Sequence, residues 1–389
     1  MKRGATGKYE VVSVAGDKVR AFVPIQLPPK PALELGGALQ LQLERSLLAL
    51  GRLDSLATVL PDTPLFLYGY IRKEALLSSQ IEGTQSSLAE LLLFELPEAP
   101  GVPTEDVVEV SNYVAALSHG LERLRGGFPL SNRLLREIHA VLLARGRGSD
   151  KDPGHFRRSQ NWLGGTRPSD AHFVPPPAHL VEPAMSDLER FLHDDRVALP
   201  LLVKAGLAHV QFETIHPFLD GNGRVGRLLI TFQLCQAMVL QEPLLYLSLY
   251  FKQHRNEYYR LLDRVRTEGD WEAWLEFFLD GVRQTADGAV ATARRLVELF
   301  EMDRRRIQQL GRAAGSALRV HSALQKRPLT TLGEISTATG LSFPTATSAA
   351  RHLQKLGIAT EITGKKRGRV FAYAQFLAIL SEGTEPIHD

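Results

Sequence analysis

The stretch HPFLDGNGRVGR, His216 to Arg227, places a histidine, an aspartate, glycines at 221, 223 and 226, and two arginines in one short run. His216 carries the one side chain whose ordinary pKa suits a general base near neutral pH. Asp220 offers a hard oxygen of the kind Mg2+ takes when it bridges phosphates and keeps its waters. Gly221, Gly223 and Gly226 let the backbone come close to a ligand and turn its N–H groups towards an anion. Arg224 and Arg227 stand three apart, so they share one face of a helical first turn and can each grip phosphate oxygens. Together these groups can deprotonate a hydroxyl, hold a metal-bound polyphosphate and stabilise charge during in-line transfer.

The elements around the loop must be helices. Leu201, Ala205, Ala208, Phe212 and Ile215 recur at steps of four and three before it, and Leu228, Phe232, Cys235 and Val239 keep helical spacing after it. That context decides against the dinucleotide fingerprint GxGxxG over Gly221 to Gly226. The fingerprint needs a preceding strand and an acid about 20 residues on, where Tyr246 stands. No Lys-Ser/Thr pair closes the glycines as a P-loop requires. His209, farther up the first helix, reads as a buried or capping histidine rather than a second catalytic group.

Elsewhere the chain is dominated by helical patterns. Leucines from Leu33 to Leu60 keep helical spacing and stop before Pro61. A second helix is expected from Tyr70 to Gly83, and a third starts at the capping box Ser87 to Glu90. PEAPGVP closes that region, and helices resume over Asp106 to Leu124 and Ser131 to Leu143. Strand signals are confined to two places. NWLGGTRPSDAHFVPPP suggests a hairpin between Trp162-Leu163 and Phe173-Val174 with an edge free for pairing, and TEITGKKRGRVFAYA suggests another near the C-terminus.

The 389 residues are 44% hydrophobic and 23% charged, enough for a soluble protein with more than one core. The single cysteine, Cys235, forms no internal disulfide, sits in an apolar run as inert packing and fits a reducing compartment. No run is long enough to span a bilayer, and the first twenty residues lack the apolar centre of a signal peptide. A cytoplasmic, membrane-free protein is expected. A net charge of +3 is too small for the whole molecule to be built around nucleic acid.

With these residues on the page, the loop resembles the signature of the Fic family, HxFx(D/E)GNGRxxR, at every defined position. The resemblance implies a mainly α fold, with a Fic-type helical core and a small β-hairpin flap. It implies transfer of AMP from ATP to a Ser, Thr or Tyr hydroxyl of a target protein, with the protein itself as one such target. Carried across, His216 is the base and Asp220 the Mg2+ ligand. Asn222 with the backbone from Gly221 through Gly223, Val225 and Gly226 forms the anion hole, and Arg224 and Arg227 hold the β- and γ-phosphates. Phe218 anchors the loop in the core, and Ile215 contributes backbone.

LSSQIEGTQ resembles the family's inhibitory motif (S/T)xxxE(G/N), with Ser78, Glu82 and Gly83 at its fixed positions. Ser78 and Glu82 are four apart, hence on one helical face. A Glu82 that reaches Arg227 takes the partner the γ-phosphate needs, so ATP binds unproductively. The hairpin of Trp162, Leu163, Gly164, Phe173 and Val174 resembles the family flap, which aligns a target segment by strand addition. Tyr259 falls where the family contacts the nucleotide base. Family habit implies a homodimer, and the family also removes AMP, with its inhibitory glutamate orienting water.

Near the C-terminus, Leu332, Ile335 and Leu341 around Gly340, then SFPTATSAARHLQKLGI and a basic hairpin, have the pattern of a winged helix-turn-helix. Arg351, Lys355, Lys365, Lys366, Arg367 and Arg369 can meet DNA phosphates there. The expected organisation is an N-terminal helical region with the inhibitory motif (1–110), a Fic core (111–300), a linker helix (301–314) and a winged helix domain (315–389). The competing expectation is a DNA-binding transcriptional regulator whose Fic core only senses nucleotide. An intact His216 favours the transferase, since a sensor needs no base.

Overall fold

The computed structural model describes residues 3–14, 16–59, 63–96, 105–365 and 368–386. A hairpin, β1 (Gly7–Val14) and β2 (Asp17–Pro24), opens the chain. Helices follow: α1 (Ala38–Val59), α2 (Thr63–Ile81), α3 (Leu88–Phe94), α4 (Glu105–Arg125), α5 (Asn132–Leu142), α6 (Ala178–His193), α7 (Leu201–Ile215), α8 (Asn222–Gln236), α9 (Ser248–Gln253), α10 (Arg255–Glu268) and α11 (Trp271–Gln308). The C-terminal module is α12 (Ala314–Lys326), β3 (Leu329–Thr331), α13 (Leu332–Thr339), α14 (Phe343–Lys355), β4 (Thr360–Glu361), β5 (Val370–Ala372) and α15 (Ala374–Ser381). Its three short strands pair antiparallel in the order β3-β5-β4. The stretch PEAPGVP and the basic residues Lys366 and Arg367 lie outside the described residues.

Local chemistry sets several boundaries. Ser87 caps α3 in a complete capping box with Glu90, and Thr331 does the same for α13 with Glu334. The Ser131 side chain accepts from Leu134 N–H at the start of α5. Gly340, at φ +62°, closes α13 in the left-handed conformation a side chain would resist.

One buried apolar cluster runs from Leu39 to Leu380, joining the helical body and the C-terminal module. Within it α1 lies along α11, and α7 packs against α8. The latter pairing is the scaffold of the loop between them. α4 crosses residue 110 and α11 crosses residue 300, each as an unbroken helix. Among the described residues no helix is long and apolar enough to cross a membrane.

Four readings of the sequence are corrected. The β1–β2 hairpin was absent from the expected strands, because its apolar residues find their partners far away: Val14, Val19 and Ala21 bury with Val174. β3 was also missed; it is three residues long and buried by pairing with β5. The hairpin of residues 162–174 contracts to one antiparallel bridge, Leu163 with Phe173, around a 3-10 turn at Pro168–Asp170. Its outer edge is not wholly free, since Phe22 N–H of β2 donates to the Val174 carbonyl at 2.9 Å. The first two helices begin at Ala38 and Thr63 rather than at Leu33 and Tyr70.

Candidate active site

The loop between α7 and α8 is braced from within. α7 ends at His216, whose φ of +51° and ψ of +61° turn the chain sharply. Such a conformation costs a non-glycine residue energy and persists only where its surroundings hold it. Arg157 is what holds it. This buried guanidinium donates to the carbonyls of His216 (2.9 Å), Ser159 (3.2 Å), Pro176 (2.6 Å) and Ile215 (3.4 Å), and its N–H donates to Pro217 O. Burial pushes the Arg157 pKa down to about 10, which still leaves it charged at neutral pH.

The Asn222 side chain closes the turn. Its Oδ1 accepts from Phe218 N–H and its Nδ2 donates to Phe218 O, both at 2.8 Å. The amide oxygen and one N–H are thereby committed to the loop, which leaves the second Nδ2 hydrogen and the backbone of the turn for an anion. Phe218 is fully buried and stacks on His139 at 3.8 Å between ring centroids. His139 Nδ1 accepts from Gly154 N–H at 2.9 Å, so Nε2 carries the hydrogen and donates to the Asp220 carbonyl at 3.0 Å. That contact fixes the main chain under the Asp220 carboxylate, which stays 37% exposed and accepts from Gly221 N–H at 2.6 Å.

The polar groups facing the loop are short of partners. His216 Nδ1, Arg224 Nε and Nη1 and Glu213 Oε1 are buried without a hydrogen-bond partner among the described residues. Burial, with the nearby Arg157 charge, lowers the His216 pKa to about 4, so at physiological pH its imidazole is neutral and free to accept a proton. Arg224 reaches its nearest carboxylates only at long range, 3.6 Å to Asp220 and 3.8 Å to Glu109. A buried guanidinium with idle N–H groups at a helix N-terminus is a cradle for an anion. One loosely held carboxylate beside that cradle suits Mg2+, which binds through one or two carboxylates plus substrate phosphates.

Arg227 is occupied instead. Its Nε donates to Ser78 Oγ at 2.8 Å, and its Nη2 donates to Ser78 O at 2.9 Å and to Glu82 Oε1 at 2.7 Å. Ser78 sits in the last turns of α2, and Glu82 lies just past its end, before Gly83 at φ +100°. Burial raises the Glu82 carboxyl, but the Arg227 charge and hydrogen bond outweigh it and hold the group below the usual carboxylate range. The Arg227 side chain is 2% exposed and that of Glu82 32%. A Cβ on Gly223 would collide with the Glu82 carboxylate, which shows how tightly that acid presses on the first turn of α8. Val225 and Ile215 are fully buried and hold the two helices together.

The flap residues border this site. Phe173 lies under the Arg266 guanidinium at 4.0 Å and near Phe22 at 6.3 Å, while Trp162 packs on the small cluster of β2 and Val174. Gly164 takes φ +68°. Tyr259 is 40% exposed with Arg255 over its ring; burial of its hydroxyl and the Glu82 charge push its phenol up. The neighbouring Tyr258 is the buried one, bonded to His209 Nε2 at 2.8 Å. His209 is buried as expected, its Nδ1 on Gly226 O at 2.9 Å.

Sequence reasoning missed Arg157, His139, Glu109 and Glu213. Arg157 stands among neighbours GHFRRSQ that contain no acid to mark it as structural, and His139 occupies an ordinary apolar helix position. Burial raises the Glu213 carboxyl to about 7, and a Cβ on Gly226 would strike it.

Comparison with known proteins agrees with this geometry. Residues 41–122 match the Fic/DOC family N-terminal region and residues 129–234 the Fic/DOC family domain. Both regions of that family are thus matched, one after the other, within residues 41–234. The Protein adenylyltransferase Fic of Aedes aegypti is 36% identical over 156 residues, 39% of this chain and 27% of the relative. That of Culex quinquefasciatus is 35% identical over 158 residues, 39% and 28% respectively. The chain thus spans little more than a quarter of the length of these relatives. A Fic family protein from Desulfovibrio desulfuricans G20 has a TM-score of 0.56 at 21% identity over 89% of this chain and 98% of its own. A Fic domain containing signaling protein from Bacteroides thetaiotaomicron has a TM-score of 0.52 at 19% identity over 64% of this chain and 95% of its own. These two similarities establish the fold.

Proposed function

We propose that the protein is a self-inhibited adenylyltransferase that moves AMP from ATP to a Ser, Thr or Tyr hydroxyl of a target protein, itself included. The observation that carries the reading is the loop that holds both a neutral His216 and Arg224, with His216 Nδ1 and Arg224 Nε and Nη1 buried without a hydrogen-bond partner among the described residues. His216 takes the proton of the target hydroxyl. Its oxygen attacks the α-phosphorus of ATP as the bond to the β-phosphate oxygen breaks and pyrophosphate leaves. The N–H groups at the start of α8 meet the charge that develops on the phosphoryl oxygens. Arg224 and, once freed, Arg227 hold the departing phosphates. Mg2+, held through Asp220 and the phosphates, would neutralise charge on the polyphosphate. Tyr259 borders the base of the nucleotide, and the bridge of Leu163 and Phe173 aligns the target chain.

In the observed state Glu82 takes the Nη2 of Arg227 that a terminal phosphate would use, and sets a negative charge at the helix end where that phosphate belongs. The same acid, near His216, can orient water for removal of AMP. Homodimerisation and a cytoplasmic location are part of this reading, the latter resting on the lone Cys235.

A second reading is favoured by α14, where Arg351 and Lys355 lie exposed one turn apart. With α13 and the β4–β5 pair they read as a winged helix-turn-helix that meets DNA phosphates, and the Fic core is then a nucleotide sensor. The deciding experiment follows labelled AMP from ATP and Mg2+ onto the protein and onto lysate proteins, for the parent, Glu82→Gly and His216→Ala. Label that rises with Glu82→Gly and vanishes with His216→Ala supports the transferase. No label from any variant that still binds ATP sinks it in favour of the sensor.

A further inference from the structure

Four residues beyond α15, Glu382 to Glu385, make an unusual set of contacts. Lys73, on α2, donates to Glu382 O at 2.8 Å. Gln80, also on α2, donates through Nε2 to Thr384 O at 2.8 Å and to Ser86 O at 3.1 Å. Lys252 of α9 donates to Gln80 Oε1 at 2.7 Å, to Gly383 O at 3.3 Å and to Glu385 O. The Glu382 carboxylate forms a two-pronged pair with Arg295 of α11, 2.6 Å on each arm. Just before this segment, Leu380 packs against Gly69 of α2, so closely that a Cβ there would lie 2.9 Å from it.

The receiving side chains are donors that read main-chain carbonyls, which is how an extended chain is recognised without regard to its side chains. Lys73 and Gln80 belong to α2, which carries Ser78 and leads into Glu82, and Lys252 reaches them from α9. Gln80 is 2% exposed, its amide is engaged by Ser86, Thr384 and Lys252, and in sequence it lies between Ser78 and Glu82, the two residues that touch Arg227. The exposed pair of Arg295 and Glu382 is worth little by itself. The hold comes mainly from the buried donors Lys73 and Gln80, where a carbonyl or ammonium stripped of its partner is poorly reached by water, with half-buried Lys252 beside them.

We infer that the face of α2 and α9 formed by Lys73, Gln80 and Lys252 is a docking surface whose occupant is the chain's own segment Glu382–Glu385, and that this occupancy keeps Glu82 on Arg227. The inference rests on the proposed transferase reading. The C-terminal module thereby becomes the input: any partner that pulls α15 away from α2 withdraws the carbonyls from Lys73 and Gln80 and loosens the acid that blocks the phosphate site.

The test uses the full chain with Lys252→Met or Lys73→Met, each alone and combined with Glu82→Gly. Two readouts are taken: self-labelling with AMP, and hydrogen exchange over residues 73–82. Loss of one charge-assisted hydrogen bond shifts the blocked-to-open ratio about tenfold, so labelling should rise by about that factor in either variant, with faster exchange over 73–82. In the Glu82→Gly background neither substitution should raise labelling further. If Glu82→Gly labels well while both lysine variants stay at the parent's level and exchange is unchanged, the docking surface is overturned and the transferase stands. If Glu82→Gly itself takes no label, the transferase reading falls instead. Faster exchange without any rise in labelling also overturns the inference, since the segment would then hold the helix but not the block.

Discussion

Arg227 and Glu82, 145 positions apart in the chain, meet at 2.7 Å over the first turn of α8. The arginine is almost wholly buried, and the glutamate brings its charge to a helix N-terminus, a position that favours anions. The contact therefore joins the two motifs of the chain into one device, and the following expectations probe its parts.

Gly223 leaves the room in which Glu82 lies, and a Cβ there also comes within 3.0 Å of Arg227 Nη1. Because the obstructed atom ends a flexible side chain, Gly223→Ala should displace the carboxylate rather than unfold the loop. The cost should be roughly 1–2 kcal/mol in the parent and about 1 kcal/mol smaller in the Glu82→Gly protein. Melting temperatures of the four proteins form the cycle; equal costs in both backgrounds would contradict the contact.

The acid limb of the Glu82→Gly transfer rate should follow His216. Burial lowers its pKa to about 4, so the neutral base persists above that pH and is lost as pH falls through it. Removing Glu82 takes away a charge that favoured the imidazolium, which moves the limb lower still. A limb centred at the ordinary histidine value would show that His216 is solvated and not buried in the loop.

Among the described residues Arg157 has no carboxylate partner, and it donates to carbonyls at His216 and Pro176, tying the base to the strand-like stretch that ends at Val174. Arg157→Ala should cost about 3 kcal/mol in urea unfolding, since several buried carbonyls lose their donor. Arg157→Lys should keep part of that stability. Both should lower turnover of the Glu82→Gly protein by about a hundredfold through misplacement of His216, with the ATP KM nearly unchanged. A KM effect without a turnover effect would remove Arg157 from the positioning of the base.

Asp220 is the carboxylate best placed for a metal-bound polyphosphate. For the Glu82→Gly protein, ATP at about a hundred times its dissociation constant should stabilise by roughly 3 kcal/mol, more with Mg2+ than with a chelator. In Asp220→Ala the difference between Mg2+ and chelator should disappear while binding of ATP alone remains. A persistent Mg2+ effect would place the ion elsewhere.

Much of this was legible in the residues themselves. The loop is a local object: its histidine, acid, glycines and arginines are neighbours, so their spacing alone shows that these groups stand together between two helices. Caps are local too, so the starts of α3 and α5 stand where Ser87 and Ser131 put them. Asn222 shows the limit, because only the folded turn reveals that its amide is spent on Phe218. Arg157 and His139 were silent for the same reason, since a residue's role as a brace depends on which carbonyl lies above it.

The sequence by itself thus determined the helix-loop-helix, the types of group it carries and the presence of an acid at the end of an earlier helix. The tertiary structure supplied the contact of this acid with Arg227, which the motif resemblance had only implied, and it alone decided that β2 lies along residues 162–174 and that the segment after α15 covers the same helix. Chain-local preferences are read from a few neighbours, whereas pairings between distant residues follow from how apolar faces stack. That stacking sets two side chains within hydrogen-bond reach, or not, by a difference of a few ångströms that no spacing in one sequence encodes.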